Sequence, residues 1–168
     1  MFGFGKSKKE EQEALSLFIK YSTDASGKYL VMRSLGKHLI EESGLTEQQF
    51  SLFEAAYIYG LHFAIAFSIN AEKKYISWEI IVDMAQTNCK QYELLGKDKD
   101  IDIVSCIDFA FQNNDKPQVL AVIKKGTDAG MKYVWAINGQ IDEEMGVFLS
   151  PSHISDSDLV TNFQNFLT

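Results

Sequence analysis

Phe50–Ile69 reads FSLFEAAYIYGLHFAIAFSI, and this stretch decides the fold. Fifteen of its twenty residues are apolar, and no Lys, Arg, Asn, Gln or Pro interrupts it. A helix apolar on nearly every side belongs in a core or in a membrane. Its start is well marked. Thr46 and Gln49 have the spacing of a capping box, and Leu45 and Phe50 that of a hydrophobic staple. At about 100° per residue, Ser51, Glu54 and His62 fall in one narrow sector, with Ser68 further round the same side. Gly60 lies roughly opposite and would let another helix approach closely. A bilayer span needs about twenty mostly apolar residues, so the stretch is barely long enough. Glu54 and His62 would then sit in hydrocarbon at high cost. The segments around it are amphipathic with charged faces, so the expectation is a core helix over 46–69 and no membrane span.

Upstream, residues 1–9 read as a flexible tail in which Phe2 and Phe4 precede Lys6, Lys8 and Lys9. Such a tail offers at most a weak aromatic-plus-basic contact with a membrane surface or a partner. Helical spacing runs from 10 to 22 with Leu15, Phe18, Ile19 and Tyr21 inward. It resumes from about 28 to 43 with Leu30, Val31, Met32, Leu35 and Leu39 inward. Between them, Ser22 to Gly27 has the composition of a turn, and Gly44 reads as a C-cap.

Downstream, Ser77 caps a helix whose inward positions are Trp78, Ile81, Val82, Ala85, Cys89 and Tyr92. A shorter helix presents Ile103, Val104, Ile107, Ala110 and Phe111, with Asp side chains at its positive end. Asp115-Lys116-Pro117 is a helix start. Residues 118–138 fit two templates: a β-hairpin across Gly126 to Gly130, or one helix with Val119, Val122, Ile123, Gly126, Gly130, Tyr133, Val134 and Ile137 on one face. The helix fits better. Its two glycines cost about 1 kcal/mol each against Ala, which a close approach to Gly60 would offset. Residues 140–154 read as irregular, and Ser155-Asp156-Ser157 opens a last helix with Leu159, Val160, Phe163, Phe166 and Leu167 inward. The expected fold is all-α: residues 10–168 as a single-domain bundle of about six to seven helices around the buried helix 46–69. The alternative is α+β with a small hairpin at 118–138.

Composition narrows function. The net charge is −7, with one arginine, Arg33, against fifteen lysines. Arginine is the preferred side chain for bidentate phosphate and base contacts, so nucleic acid is not an expected partner. Cys89 and Cys106 are expected to be buried free thiols, as in a reducing compartment. With no apolar leader in MFGFGKSKKEE, the cytoplasm is the expected location.

The motif search excludes much. There is no phosphate loop, no nucleophile elbow, no H-E-x-x-H and no C-x-x-C. Residues Leu35, Tyr59 and Ser150 stand three before the histidines, where a di-iron bundle needs Glu. Asp98-x-Asp100-x-Asp102 starts like a calcium loop, but Ile103 replaces its Gly and Phe109 its Glu. No metal site and no cofactor are expected.

Three functions fit what remains. The first is non-enzymatic: a small acidic helical domain that docks a protein partner. The expected surface is the C-terminal part, where residues 139–168 hold five acids and no Lys or Arg. Asp142, Glu143, Glu144, Val147 and Phe148 are the candidate contacts. The second is a binder of a small apolar ligand, in a pocket beside helix 46–69 lined by Glu54, Tyr57, Tyr59 and His62. The third is an enzyme using Glu54 and His62 as acid and base. These two lie about 12 Å apart along one helix, so they need an intermediary, and no nucleophile accompanies them.

Overall fold

The structure is a computed structural model that describes residues 4–70, 75–94, 101–144 and 148–168, with side chains from residue 7 onward. Among the described residues, seven α-helices follow one another: α1 (Phe4–Leu35), α2 (Lys37–Glu42), α3 (Glu47–Asn70), α4 (Trp78–Gln91), α5 (Ile103–Gln112), α6 (Pro117–Ile137) and α7 (Ser157–Leu167). A 3-10 turn, Pro151–Ser155, precedes α7. There is no strand among the described residues.

The quoted stretch is the axis of the bundle. Helices α1, α4, α5, α6 and α7 all pack on α3. Every residue from Phe53 to His62 is buried. The capping box is closed in both directions: Gln49 N–H donates to Thr46 Oγ1 at 3.2 Å, and Thr46 N–H to Gln49 Oε1 at 3.0 Å. By length and composition α3 could cross a bilayer, but 72% of its most apolar window is covered by the rest of the chain.

The segment that fitted two templates is one helix, α6, and it makes the closest contact in the molecule with α3. A Cβ built on Gly126 would lie 1.9 Å from the Tyr57 carbonyl oxygen, and one on Gly60 would lie 2.1 Å from that of Ile123. One on Gly130 would meet Leu61 O at 2.6 Å and Ala64 Cβ at 2.8 Å. The three glycines let backbone lie against backbone. Thr127, between them, gives its hydroxyl to Ile123 O at 3.0 Å.

The first forty residues depart from the expectation. Helix α1 begins at Phe4, so residues 4–9 are helical, and it runs unbroken through Ser22–Gly27. Local propensity for a turn yields there to tertiary contacts. Ser22 Oγ donates to Phe18 O at 2.6 Å and Ser26 Oγ to Ser22 O at 2.7 Å, which satisfies both hydroxyls inside the helix. Small residues at these places let α1 pack on α4, with Gly27 against the Tyr92 ring. The buried stripe is therefore Phe18, Ser22, Ala25, Ser26 and Tyr29. In that helical phase Ile19, Val31 and Leu35, expected inward, point outward; Leu35 is 71% exposed. The chain breaks instead at Gly36, where a Cβ would strike Pro151 Cγ at 2.5 Å. Helix α2 follows it and is separated from α3 by Gly44, at φ +72°.

Candidate functional site

The polar residues of α3 each have a separate environment. Glu54, fully buried, meets the chain's single arginine: Arg33 Nε on α1 lies 2.6 Å from Glu54 Oε1. The two meet as an ion pair rather than along a straight hydrogen bond. Tyr29 adds a hydroxyl donor to the same oxygen at 3.1 Å. The guanidinium also lies over the Phe50 ring, 5.3 Å from its centroid.

His62 sits two turns on and faces α4. Its Nδ1–H donates to Ile58 O at 2.8 Å, and its Nε2 accepts from Asn88 Nδ2 at 2.8 Å. Asn88 Oδ1 in turn faces Thr23 Oγ1 of α1 at 3.4 Å. This chain fixes the neutral tautomer. Burial pushes the imidazole down to about 4, outweighing the Ile58 bond. Both ring nitrogens of this neutral imidazole are engaged inside the fold.

Tyr59 turns a third way. Its ring meets Phe111 of α5 edge-on, and its hydroxyl bonds the Asn114 side chain. Glu54, His62 and Tyr59 thus meet different neighbours, while Tyr57 shares Tyr29, its ring 5.0 Å away, with Glu54. Glu54 is held by Arg33 and Tyr29 of α1, and His62 by its own preceding turn and Asn88 of α4.

Tyr57 does line a pocket, of about 210 Å³, with different companions. Lys125, Asp128, Ala129 and Lys132 come from α6, Phe148 and Ser150 from just before the 3-10 turn, and Ser152 and His153 from the turn itself. The Tyr57 and His153 rings stack in parallel with centroids 4.0 Å apart. Both are buried. Tyr57 Oη and His153 Nε2 have no hydrogen-bond partner among the described residues. Burial, with the nearby Lys125 charge, pushes His153 down to about 3, against the Ser150 backbone bond. It too is neutral.

Both thiols are free and buried. Burial pushes Cys106 up to about 11 and Cys89 well above the usual thiol range. Neither is a thiolate nucleophile near neutral pH. No cluster of three His, Cys, Asp or Glu side chains occurs among the described residues.

Sequence reasoning missed a run of aromatic rings on the surface. It starts at Phe67 and Phe63 on α3, 6.3 Å apart, and passes to Tyr59 at 6.5 Å. It continues to Phe111 on α5 at 6.1 Å and ends on Trp78 of α4, stacked at 4.8 Å. Phe63, Phe67 and Trp78 are 42%, 63% and 53% exposed. Trp78, expected inward, stands outside because it occupies the first position of α4, beyond the edge of the core. The signal that could have found the run was the i, i+4 pair Phe63 and Phe67 at the C-terminal end of α3, where fewer helices remain to cover it.

At the C-terminal end, Asp142, Glu143 and Glu144 are exposed, and Glu143 reaches Lys132 at 3.9 Å. Phe148 is half-buried against the core. Val147, Phe2 and the calcium-like Asp98 and Asp100 lie outside the described residues, as do the side chains of Phe4 and Lys6.

No family model matches the chain, and no curated protein and no solved structure matches it.

Proposed function

We propose that the chain is a non-enzymatic docking module that binds an amphipathic basic helix of a protein partner. One observation supports this reading above the others: the contiguous aromatic run Phe67–Phe63–Tyr59–Phe111–Trp78, open on one side. Large exposed aromatics are costly in water and are concentrated where proteins meet. Stacking fixes these rings in advance, so little side-chain entropy is lost on binding.

Charge selects the partner. Outside the core, the three helices that carry the run hold four carboxylates, Glu47, Glu79, Asp83 and Asp108, against one lysine, Lys90. Glu79 and Asp83 are exposed beside Trp78. A second copy of this acidic surface would be repelled, while a helix with apolar and lysine-rich faces is attracted. Asp142, Glu143 and Glu144 add to the negative field that steers such a partner.

The test uses a synthetic Leu/Lys amphipathic helix, with a Leu/Glu helix of the same length as control. In a Trp135→Phe background, Trp78 reports binding by its own fluorescence. The Leu/Lys peptide is expected to shift its emission to the blue and saturate. Phe67→Ser and Trp78→Ser, read by calorimetry, are expected to weaken binding by about tenfold each. Equal binding of the two peptides, unchanged affinity in both variants, or dimerisation through this face in sedimentation would overturn the proposal.

A further inference from the structure

Helix α1 carries a row of side chains that the fold leaves uncovered. Leu17, Tyr21, Asp24, Lys28, Val31 and Leu35 follow one another at intervals of 4, 3, 4, 3 and 4 residues. That alternation is the spacing of a coiled-coil seam. At about 100° per residue the six share an arc of about 80°. The bundle borders this arc without closing it. On one side Gly27 lies against the Tyr92 ring of α4; on the other Tyr21 meets Tyr133 of α6 edge-on at 6.1 Å. Between these borders Leu17, Asp24, Lys28, Val31 and Leu35 are exposed, and Tyr21 is half-buried. Apolar side chains grouped on a surface mark a place where another protein sits. The order along the row is two apolar residues, an acid, a base and two apolar residues, and it is symmetric: 17 and 35, 21 and 31, and 24 and 28 all average 26.

We infer that a second copy of this chain docks on this row, α1 against α1, antiparallel about a two-fold axis beside position 26. The register brings Leu17 to Leu35, Tyr21 to Val31 and Asp24 to Lys28 of the other copy, and the two-fold axis makes each pair occur twice. Within one chain Lys28 Nζ lies 2.6 Å from Asp24 Oδ1, and the Tyr133 hydroxyl donates to Asp24 Oδ2 at 2.6 Å. The antiparallel pair joins two such ion pairs so that their charges alternate. A parallel pair would set Asp24 on Asp24 and Lys28 on Lys28. Lys20, whose charge also acts on Asp24 from the edge of the arc, brings the dimer's seam to four amines against two carboxylates. The charges therefore fix direction and register, and the apolar pairs supply the attraction. The paired part runs from 17 to 35, about 27 Å at the helical rise. One helix face is smaller than a standard interface, so the dimer is weak, with a dissociation constant of about 100 µM. The row shares no residue with the aromatic run and is independent of the helix-docking face.

Sedimentation equilibrium of the full chain from about 10 µM to about 1 mM brackets that constant. The mass should rise with concentration from 19.0 kDa toward 38.0 kDa (2 × 19.0). Val31→Ser/Leu35→Ser and Lys28→Glu alter only exposed side chains. Each should weaken dimerisation at least about tenfold and leave the far-UV circular dichroism unchanged. Phe67→Ser and Trp78→Ser should dimerise as the parent does. Introduced cysteines report direction: under mild oxidation Leu17→Cys mixed with Leu35→Cys should give a disulfide-linked dimer, and neither should give one alone. A chain that stays at 19.0 kDa throughout, Val31→Ser/Leu35→Ser dimerising like the parent, or either cysteine variant linking to itself as fast as the mixture links would overturn the inference. Dimerisation lost in Phe67→Ser or Trp78→Ser and kept in Val31→Ser/Leu35→Ser would overturn it too, and the helix-docking reading with it.

Discussion

Replacing Gly126 by alanine separates two opposed effects of one methyl group. In an exposed helix the change is stabilising by about 1 kcal/mol, because alanine has the higher helix propensity. At Gly126 the new Cβ would lie 1.9 Å from Tyr57 O, and real Cβ contacts stay beyond 3.0 Å, so α3 and α6 must part locally by 1.1 Å. The obstacle is a carbonyl in the middle of the core helix, which cannot rotate aside as a side chain does. A gap of about 1 Å forfeits up to about half of the dispersion attraction across it. Overpacking a tight core costs about 1–3 kcal/mol or more. Because this gap opens along the main helix–helix contact, we expect a net loss of about 3 kcal/mol after the propensity gain. The same reasoning ranks a series. Gly60→Ala needs 0.9 Å (2.1 to 3.0 Å) and Gly130→Ala 0.4 Å (2.6 to 3.0 Å), so the losses should decrease in that order. Gly27→Ala meets only the end of the Tyr92 side chain, at 3.3 Å, and should be neutral or stabilising. Urea unfolding at constant m-value reads all four. Gly126→Ala as stable as the parent, or a series without the change of sign at Gly27, would refute the backbone-contact account.

Two further predictions concern the buried polar groups. Arg33→Met leaves Glu54 buried without its countercharge and should cost about 3–5 kcal/mol, most of it recovered in Arg33→Met/Glu54→Leu; chemical denaturation of the pair of variants decides, and an unaltered single variant would contradict the ion pair's role. The buried histidines make stability fall in acid: both native values, about 4 for His62 and about 3 for His153, lie below the ordinary 6.5. The unfolded chain therefore binds more protons, and their contribution, complete above pH 6.5, is lost as pH falls through that window. Each histidine adds a slope of about 1.4 kcal/mol per pH unit, so His62→Gln should flatten the pH 4.5–6 dependence by that amount; an unaltered slope would mean His62 is not held neutral.

Much of the helical order was legible in the sequence. The capping box at Thr46 and Gln49, the apolar run of α3 and the one-sided pattern of α6 all point to the elements observed. Gly60 facing Gly126 followed from the positions of small residues on two helix faces. What escaped was set by contacts distant in sequence. Ser22–Gly27 carries turn residues, and only packing against α4 explains why they stay helical. Reading that segment as a break put Val31 and Leu35 in the wrong phase. In α3 the apolar residues occupy every side, so nothing in the pattern says that Phe63 and Phe67 lie where cover runs out. The polar stripe of Glu54 and His62 was visible, but their partners Arg33 and Asn88 stand on two other helices. The pocket at Tyr57 depends on His153, which arrives from a segment with no periodicity to read.

The position of Arg33 has a chemical consequence. The guanidinium is the chain's one cation that acylation cannot neutralise, and it lies against Glu54 inside the bundle. All remaining side-chain positive charge resides on fifteen lysine amines. Acetylation of every lysine would therefore carry the formal side-chain charge from −7 to −22 (−7 − 15) without modifying either member of the internal ion pair. One neutral acylating reagent can thus triple the charge of this protein while the Arg33–Glu54 pair keeps both of its charged groups.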